Sequence, residues 1–278
     1  MAHVVEFRDR DLYKRVAAPV AAPLYATAAP AARDRTRCGP ARCRRRPPSR
    51  SSDRPLPEHP MQDYARARLN MVESQIRTNK VTDERLVDAF LTLPRERFVD
   101  EARRGIAYVD EDLPIGGGRC LMEPMVLARL LQAAAIAPGE RALDVGCATG
   151  YSTAVLARVA GSVVGLECDD GLAQRARTVL GSLGLANASV VTGPLPEGRR
   201  GDGPYDVIVL QGAVPALPQA ILDQLAPGGR LVAVVGAPGT QPRATLAMRV
   251  GDVASERVLF DANVAPLPGF ERAAGFVF

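Results

Sequence analysis

Side chains able to hold a charged small molecule gather in one short stretch, residues 141–152 (RALDVGCATGYS), with Glu167 close behind. Asp144 stands two residues ahead of a glycine turn, Gly146-Cys147-Ala148-Thr149-Gly150. Residues 142–145 read as a short buried strand, and Tyr151 onward (YSTAVLARVAG) as an amphipathic helix. A strand that breaks at glycine straight into a helix turns backbone N–H groups and bare Cα atoms toward a ligand at the carboxyl edge of a sheet. The next strand, residues 162–167 (SVVGLE), ends in an acid 21 positions after Gly146. A carboxylate there can accept hydrogen bonds from the two hydroxyls of a ribose.

Two cofactor classes use this layout, and the glycines separate them. A dinucleotide site wants G-x-G-x-x-G, whose middle glycine lets the backbone approach the pyrophosphate. Here Ala148 holds that middle position. Asp144 also suits cationic groups rather than phosphates. S-adenosyl-L-methionine carries a sulfonium, an ammonium and a ribose without phosphate, and is the cofactor expected. A dinucleotide site and a βα unit without ligand are the alternatives.

The positioning elements follow from the rest of the chain. At 278 residues it can bury a sizeable core. Its net charge of +4 is unevenly spread: residues 1–60 hold 13 Arg or Lys against 6 Asp or Glu, and the remainder 22 against 25. The second part is mildly acidic, and nothing in it advertises nucleic acid. Five cysteines (38, 43, 120, 147 and 168) lack metal spacing, and an odd count argues against a complete disulfide framework, so a reducing cytoplasm is expected. Both histidines, His3 and His59, precede residue 61, which leaves no His beyond it for a zinc site, a Ser-His-Asp triad or a His general base. No apolar run reaches the length of a membrane span, and the start does not resemble a secretory signal.

Residues 1–60 are rich in Ala, Arg and Pro with little periodicity, and are expected to be a disordered extension. They read as a basic arm, as a targeting segment, or as upstream sequence that is not native, with Met61 the true start. Residues 61–278 are expected to form one domain, with a helical part and a loop over 61–137 and the cofactor sheet over 138–278. Helical spacing covers 63–78, and Thr82 is expected to cap a second helix reaching Leu91. An irregular segment with three consecutive glycines (108–123) precedes a helix begun by Pro124. Beyond Glu167 come a helix at 171–183, strands at 188–192 and 205–210, a helix at 218–225 and a strand at 230–235. Strand-like stretches at 244–250, 257–261 and 275–278 have no helix between them. The class expected is α/β: the methyltransferase variant of the Rossmann fold. It predicts a mostly parallel seven-stranded sheet, an antiparallel C-terminal hairpin and an N-terminal helical cap.

Five segments in order, MVESQIRTNKVTDERLVDAFLTLPRERFVDE, LPIGGGRCLMEP, LDVGCATGYS, YDVIVLQGAVPALP and LAPGGRLVAVVG, resemble the protein-L-isoaspartate O-methyltransferases. The resemblance spans residue 61 to about 235 and implies methyl transfer from S-adenosyl-L-methionine to the side-chain carboxylate of an L-isoaspartyl residue. The ester then collapses to a succinimide, which repairs damaged proteins. Two other readings stay open: a same-fold methyltransferase with another carboxylate or peptide acceptor, and a non-catalytic S-adenosylmethionine-binding protein. The partner expected is a carboxylate-bearing peptide or protein, met by a monomer.

By resemblance Asp144, Gly146, Cys147, Thr149 and Gly150 line the methionine end, Glu167 takes the ribose, and Leu195 lies near the adenine. Cys147 and Cys168 read as packing thiols. Asp206 either faces the cofactor pocket or caps its strand. The catalytic loop is Arg119-Cys120-Leu121-Met122-Glu123-Pro124, where the family reads Q-T-I-S-Q-P, so Arg119, Cys120 and Met122 are the candidate catalytic residues. Met122 stands in place of a serine, and a thioether cannot donate a hydrogen bond. Arg119 is expected either to grip the acceptor carboxylate through two parallel hydrogen bonds or to be solvated and paired with Glu123 or Asp112.

Overall fold

Apolar residues recur in the first described segment at helical spacing, and they fold as expected but not with one pitch. The computed structural model describes residues 63–237, 239–251 and 253–271. Asp63 caps α1 (Tyr64–Met71) by accepting from the Arg66 N–H. The turns then widen over Val72–Ile76 and tighten over Arg77–Asn79 before Lys80 ends the run with φ 63°. The hydroxyls of Ser74 and Thr78 bond carbonyls four residues back, competing with the regular ladder. α2 (Glu84–Thr92) is capped by Asp83, not Thr82. The Thr82 and Asp83 N–H groups instead both donate to the Gln132 side chain, which fixes the entry to α2 from a neighbouring helix.

The segment expected to be irregular is a short antiparallel hairpin, β1 (Leu113–Gly116) with β2 (Arg119–Leu121). Alternation was invisible there because three glycines fill the turn. Gly116, Gly117 and Gly118 all have positive φ, which a side chain would resist. Pro124 then opens α3 (Pro124–Ala134).

Beyond it the chain alternates: β3 (Arg141–Val145), α4 (Tyr151–Val159), β4 (Ser162–Glu167), α5 (Asp170–Ser182), β5 (Ala188–Thr192), β6 (Tyr205–Val214), α6 (Gln219–Leu222), β7 (Leu225–Val235), β8 (Arg243–Val250) and β9 (Val253–Asp261). The seven-stranded sheet runs β5-β4-β3-β6-β7-β8-β9. Its pairs are parallel through β7, and β8 and β9 close it antiparallel. The helix expected at 218–225 is a single turn, because β7 begins at Leu225 and runs through Pro227-Gly228-Gly229. β6 also outlasts its expected end at 210. Its last part pairs with the returning segment at Pro266, where Leu267 donates to the Ala213 carbonyl. The expectations for residues 1–60 and 275–278 lie outside the described residues.

Strand period sorts the core into two layers. Ala142, Val207, Val209 and Val232 face the layer containing α2, α3 and α4, while Leu143, Ile208, Leu210 and Leu231 face that of α6 and Leu267. Since β3 leads to β4 on one side and lies beside β6 on the other, a crevice opens at the carboxyl end of β3.

Arg230 on β7 ties the first layer to the sheet. Its guanidinium makes two 2.7 Å bonds to Glu140 and one of 2.8 Å to the Ala135 carbonyl beyond α3. Arg230→Ala is therefore expected to cost about 2 kcal/mol of unfolding free energy. The measurement is the urea midpoint at unchanged slope; a shift worth under about 0.5 kcal/mol would show that the pair is merely superficial.

Candidate active site

The carboxyl end of β3 carries the site. Gly146 leaves the strand with φ 78°, and its N–H, with that of Cys147, donates to the Leu166 carbonyl on β4. A Cβ on Gly146 would lie 2.6 Å from both the Arg119 guanidinium and Leu267 Cδ1, and its left-handed φ favours glycine whatever those side chains do. At Gly150 (φ 91°) a Cβ would meet Ala176 of α5 at 3.0 Å. Ala148 takes φ 52° despite its side chain, and its N–H donates to Glu167 Oε2 at 2.7 Å. A non-glycine held left-handed is a strained feature that its surroundings must impose, and here Glu167 imposes it.

Two carboxylates sit at this turn with no solvent exposure. Asp144 accepts from Ser152 and Thr153 on the first turn of α4 (2.7 and 2.6 Å) and from Gln211 on β6 (2.7 Å). Burial pushes its pKa up to about 6, against the pull of those three donors, and Glu167 adds to the rise. Glu167 accepts from the N–H groups of Ala148, Cys168 and Asp169.

Arg119 comes from β2 into the same place. It is 3% exposed, and Nη2 donates to the Gly146 carbonyl at 2.5 Å. Nε lies 3.5 Å from Glu167 Oε2 without an aligned hydrogen bond. The expectation of a solvated arginine beside Glu123 or Asp112 is thus corrected. Asp112 receives the N–H groups of Glu123 and Ala265. Burial, then the nearby Asp110, Asp112 and Glu111, push Glu123 up to about 7. Arg119 does not stand free to grip an acceptor in this conformation either, because it faces the glycine turn.

Cys120 and Met122 are brought to that turn as well. With Gly146, Ala148, Tyr151 and Gln211 they line a void of about 10 Å³. The buried Met122 offers its carbonyl to Arg95 at 2.7 Å. Arg95, fully buried, also donates to the Ala107 carbonyl and stacks 4.7 Å above the Tyr151 ring. One residue therefore holds both the loop after β2 and the start of α4.

The remaining expected residues fall as follows. Cys147 is buried, and burial drives its thiol pKa well above the ordinary range, as a packing thiol requires. The exposed Cys168 thiol leans on Glu167. Buried Leu195 follows Gly193, whose N–H bonds the Glu167 carbonyl. Asp206 accepts from the Arg141 N–H at the opposite end of the strands, so it is a cap and not part of the pocket. Thr149 Oγ1 and Tyr151 Oη are buried with no partner among the described residues. Ser152, Thr153, Gln211 and Arg95 were not anticipated. Gln211 did carry a signal, as the polar residue ending an apolar strand (VIVLQ). Next to the turn, a cavity of about 520 Å³ opens at the carboxyl ends of β6 and β7, lined by Ala213, Gly236, Thr240, Leu267 and Phe270 among others.

The family model of protein-L-isoaspartate(D-aspartate) O-methyltransferase matches residues 66–262. The protein-L-isoaspartate O-methyltransferase of Koribacter versatilis is 40% identical over 206 residues, 74% of this chain and 92% of that protein. That of Methylorubrum extorquens is 38% identical over 213 residues, covering 77% and 93%. Among solved structures, a protein-L-isoaspartate O-methyltransferase superposes with TM-score 0.66 at 24% identity, covering 73% of this chain and 66% of that one. The Plasmodium falciparum protein in complex with S-adenosyl-L-homocysteine gives 0.61 at 21%, covering 71% and 96%. These two likenesses are ones of fold.

The Asp144 carboxyl has a testable pH signature. Its folded-state pKa of about 6 exceeds the ordinary aspartate value of 3.8, so the native state binds that proton more tightly. The resulting stability is full below the lower value and is withdrawn as pH rises through the higher one. At 1.36 kcal/mol per pKa unit the loss is about 3 kcal/mol. Denaturant titrations from about pH 4 to pH 7 should show this fall in the wild type and its absence in Asp144→Asn; parallel profiles would contradict it.

Proposed function

We propose the following division of labour for this chain, which belongs to the protein-L-isoaspartate(D-aspartate) O-methyltransferase family. It is an S-adenosyl-L-methionine-dependent enzyme that methylates L-isoaspartyl residues of damaged proteins. The observation that carries the residue assignment is the pair of fully buried carboxylates flanking a glycine turn whose threonine hydroxyl has no partner among the described residues. That donor and acceptor set fits the cofactor. Glu167 accepts from the ribose, Asp144, Gly146, Thr149 and Gly150 hold the methionine end, Cys147 packs beneath it, and Leu195 walls the base. When bound, S-adenosyl-L-methionine supplies an electrophilic methyl group on sulfur.

The chain's own task is alignment and exclusion of water. An acceptor carboxylate, with a reference pKa near 4, is already ionised at neutral pH, so no general base is needed. The lack of any His after His59 is consistent with that. Alignment alone is worth roughly 7–11 kcal/mol in favourable systems. We assign Cys120 and Met122 to the wall of the transfer channel. Burial and then Asp112 raise the Cys120 thiol pKa, which keeps it protonated and uncharged there. The peptide acceptor is assigned to the 520 Å³ cavity, which shares Leu267 with the glycine turn. Arg119 can serve an acceptor carboxylate only after leaving Glu167.

Residues 61–278 are assigned to the methyltransferase domain, in keeping with a family match that starts at 66. No helix among the described residues is long and apolar enough to cross a membrane. The mild acidity of this part supports action on peptides without nucleic acid, and we place the enzyme in the cytoplasm as a monomer.

Labelled cofactor incubated with the protein and an isoaspartyl peptide should leave base-labile label on the peptide; label on other acceptors only, or none, would remove the substrate assignment. Thr149→Val gives a sharper test of the cofactor site. Removing an unpartnered buried hydroxyl should leave folding stability equal or up to about 1 kcal/mol higher. Losing one hydrogen bond to the ligand should weaken cofactor binding about 5-fold. Unchanged affinity would exclude Thr149 from the site.

A further inference from the structure

We infer that Arg119 is an internal competitor of the cofactor: its guanidinium occupies the nucleoside pocket and must swing out with the Gly116–Gly118 hairpin tip before a ligand can reach Glu167. The inference rests on the assignment of Glu167 to the ribose. Its first support is position. A side chain that is 3% exposed lies directly over the turn, bonded to the Gly146 carbonyl and 3.5 Å from Glu167 Oε2.

Space is the second support. The voids between the 119–122 segment and the glycine turn or β6 measure about 10 Å³ each. That is room for about one water, whereas small-molecule sites need roughly 300 Å³ or more. A ligand that reaches the turn from this side therefore displaces the hairpin tip.

The third support is that the tip is all glycine, touching α5 only where Gly117 meets Asp169 and Leu172, while its base is pinned. Gly116, Gly117 and Gly118 all have positive φ, and Gly116 and Gly118 have no neighbour within 4 Å of a would-be Cβ. The pairing register breaks between Pro114 and Gly116. At the base, Arg95 holds the Met122 carbonyl and Asp112 holds the Glu123 N–H. Arg119 also leaves one buried donor unused, since Nε has no hydrogen-bond partner among the described residues. Buried ion pairs give little net stabilisation when desolvation is counted. Its departure would leave Glu167 buried beside Asp144 without its cation, and a ligand whose ribose hydroxyls donate to Glu167 offsets that loss.

The test uses the full-length protein and S-adenosyl-L-homocysteine, which binds without turning over. An affinity reduced by the fraction of molecules already open is restored when the competitor is removed, so R119Q and R119M should bind about 10-fold or more tightly than wild type. Both should also melt at lower temperature without ligand, because Glu167 loses its partner. In the wild type, phenylglyoxal should label Arg119 faster when S-adenosyl-L-homocysteine is present, as read by peptide mass spectrometry; this readout needs no variant to fold. Equal or weaker binding by the variants, or slower labelling with ligand, would overturn the inference. Binding by the variants alone would support it, and binding by neither would overturn both this inference and the cofactor assignment it rests on.

Discussion

Two carboxylates without solvent exposure, at the ends of adjacent parallel strands, are the constraint around which this molecule is arranged. An isolated ionised carboxylate costs several kcal/mol to desolvate, so each must be surrounded by donors. For Asp144 these are two hydroxyls of the first helical turn and one amide from β6. For Glu167 they are three backbone N–H groups. One of those belongs to Ala148, which explains why the turn accepts a left-handed alanine. The glycines on either side are required by close approach, one from Arg119 and Leu267 and one from α5. Site chemistry and local backbone geometry are thus the same fact seen twice.

A second buried cation couples this turn to the loop after β2. Arg95 lies outside the pocket, yet it bonds the Met122 carbonyl and stacks on Tyr151, whose ring meets Phe90 and Phe98 edge-on. The cap formed by the N-terminal helices therefore supports the loop after β2 and the start of α4 through one side chain. Rigid support on that side and a glycine hinge on the other leave the hairpin tip as the part free to rearrange.

Much of the sheet was legible because strand period and glycine punctuation are local signals. β3, β4 and β5 fall at their expected residues, and the acid that ends β4 is legible from strand pattern and spacing together. Failures came where neighbours overrule local preference. Thr82 yields the cap to Asp83, whose carboxylate accepts the Arg85 N–H. α6 shrank because β7 starts early, and the hairpin at 113–121 hid behind three glycines. In the site, the donors to Asp144 were missed since hydroxyls on a first helical turn read equally as ordinary polar residues. The partner of Arg119 was beyond reach: 48 positions separate it from Glu167, and only the folded chain brings them together.

The central claim is that the buried carboxylate pair and its glycine turn receive a cationic nucleoside and no dinucleotide. Isothermal titration of the full-length protein with S-adenosyl-L-methionine, and separately with NAD, addresses it directly. One-to-one uptake of the first with no measurable heat from the second is the result expected. Preference for NAD, or no uptake of the sulfonium ligand by well-folded protein, would contradict the account.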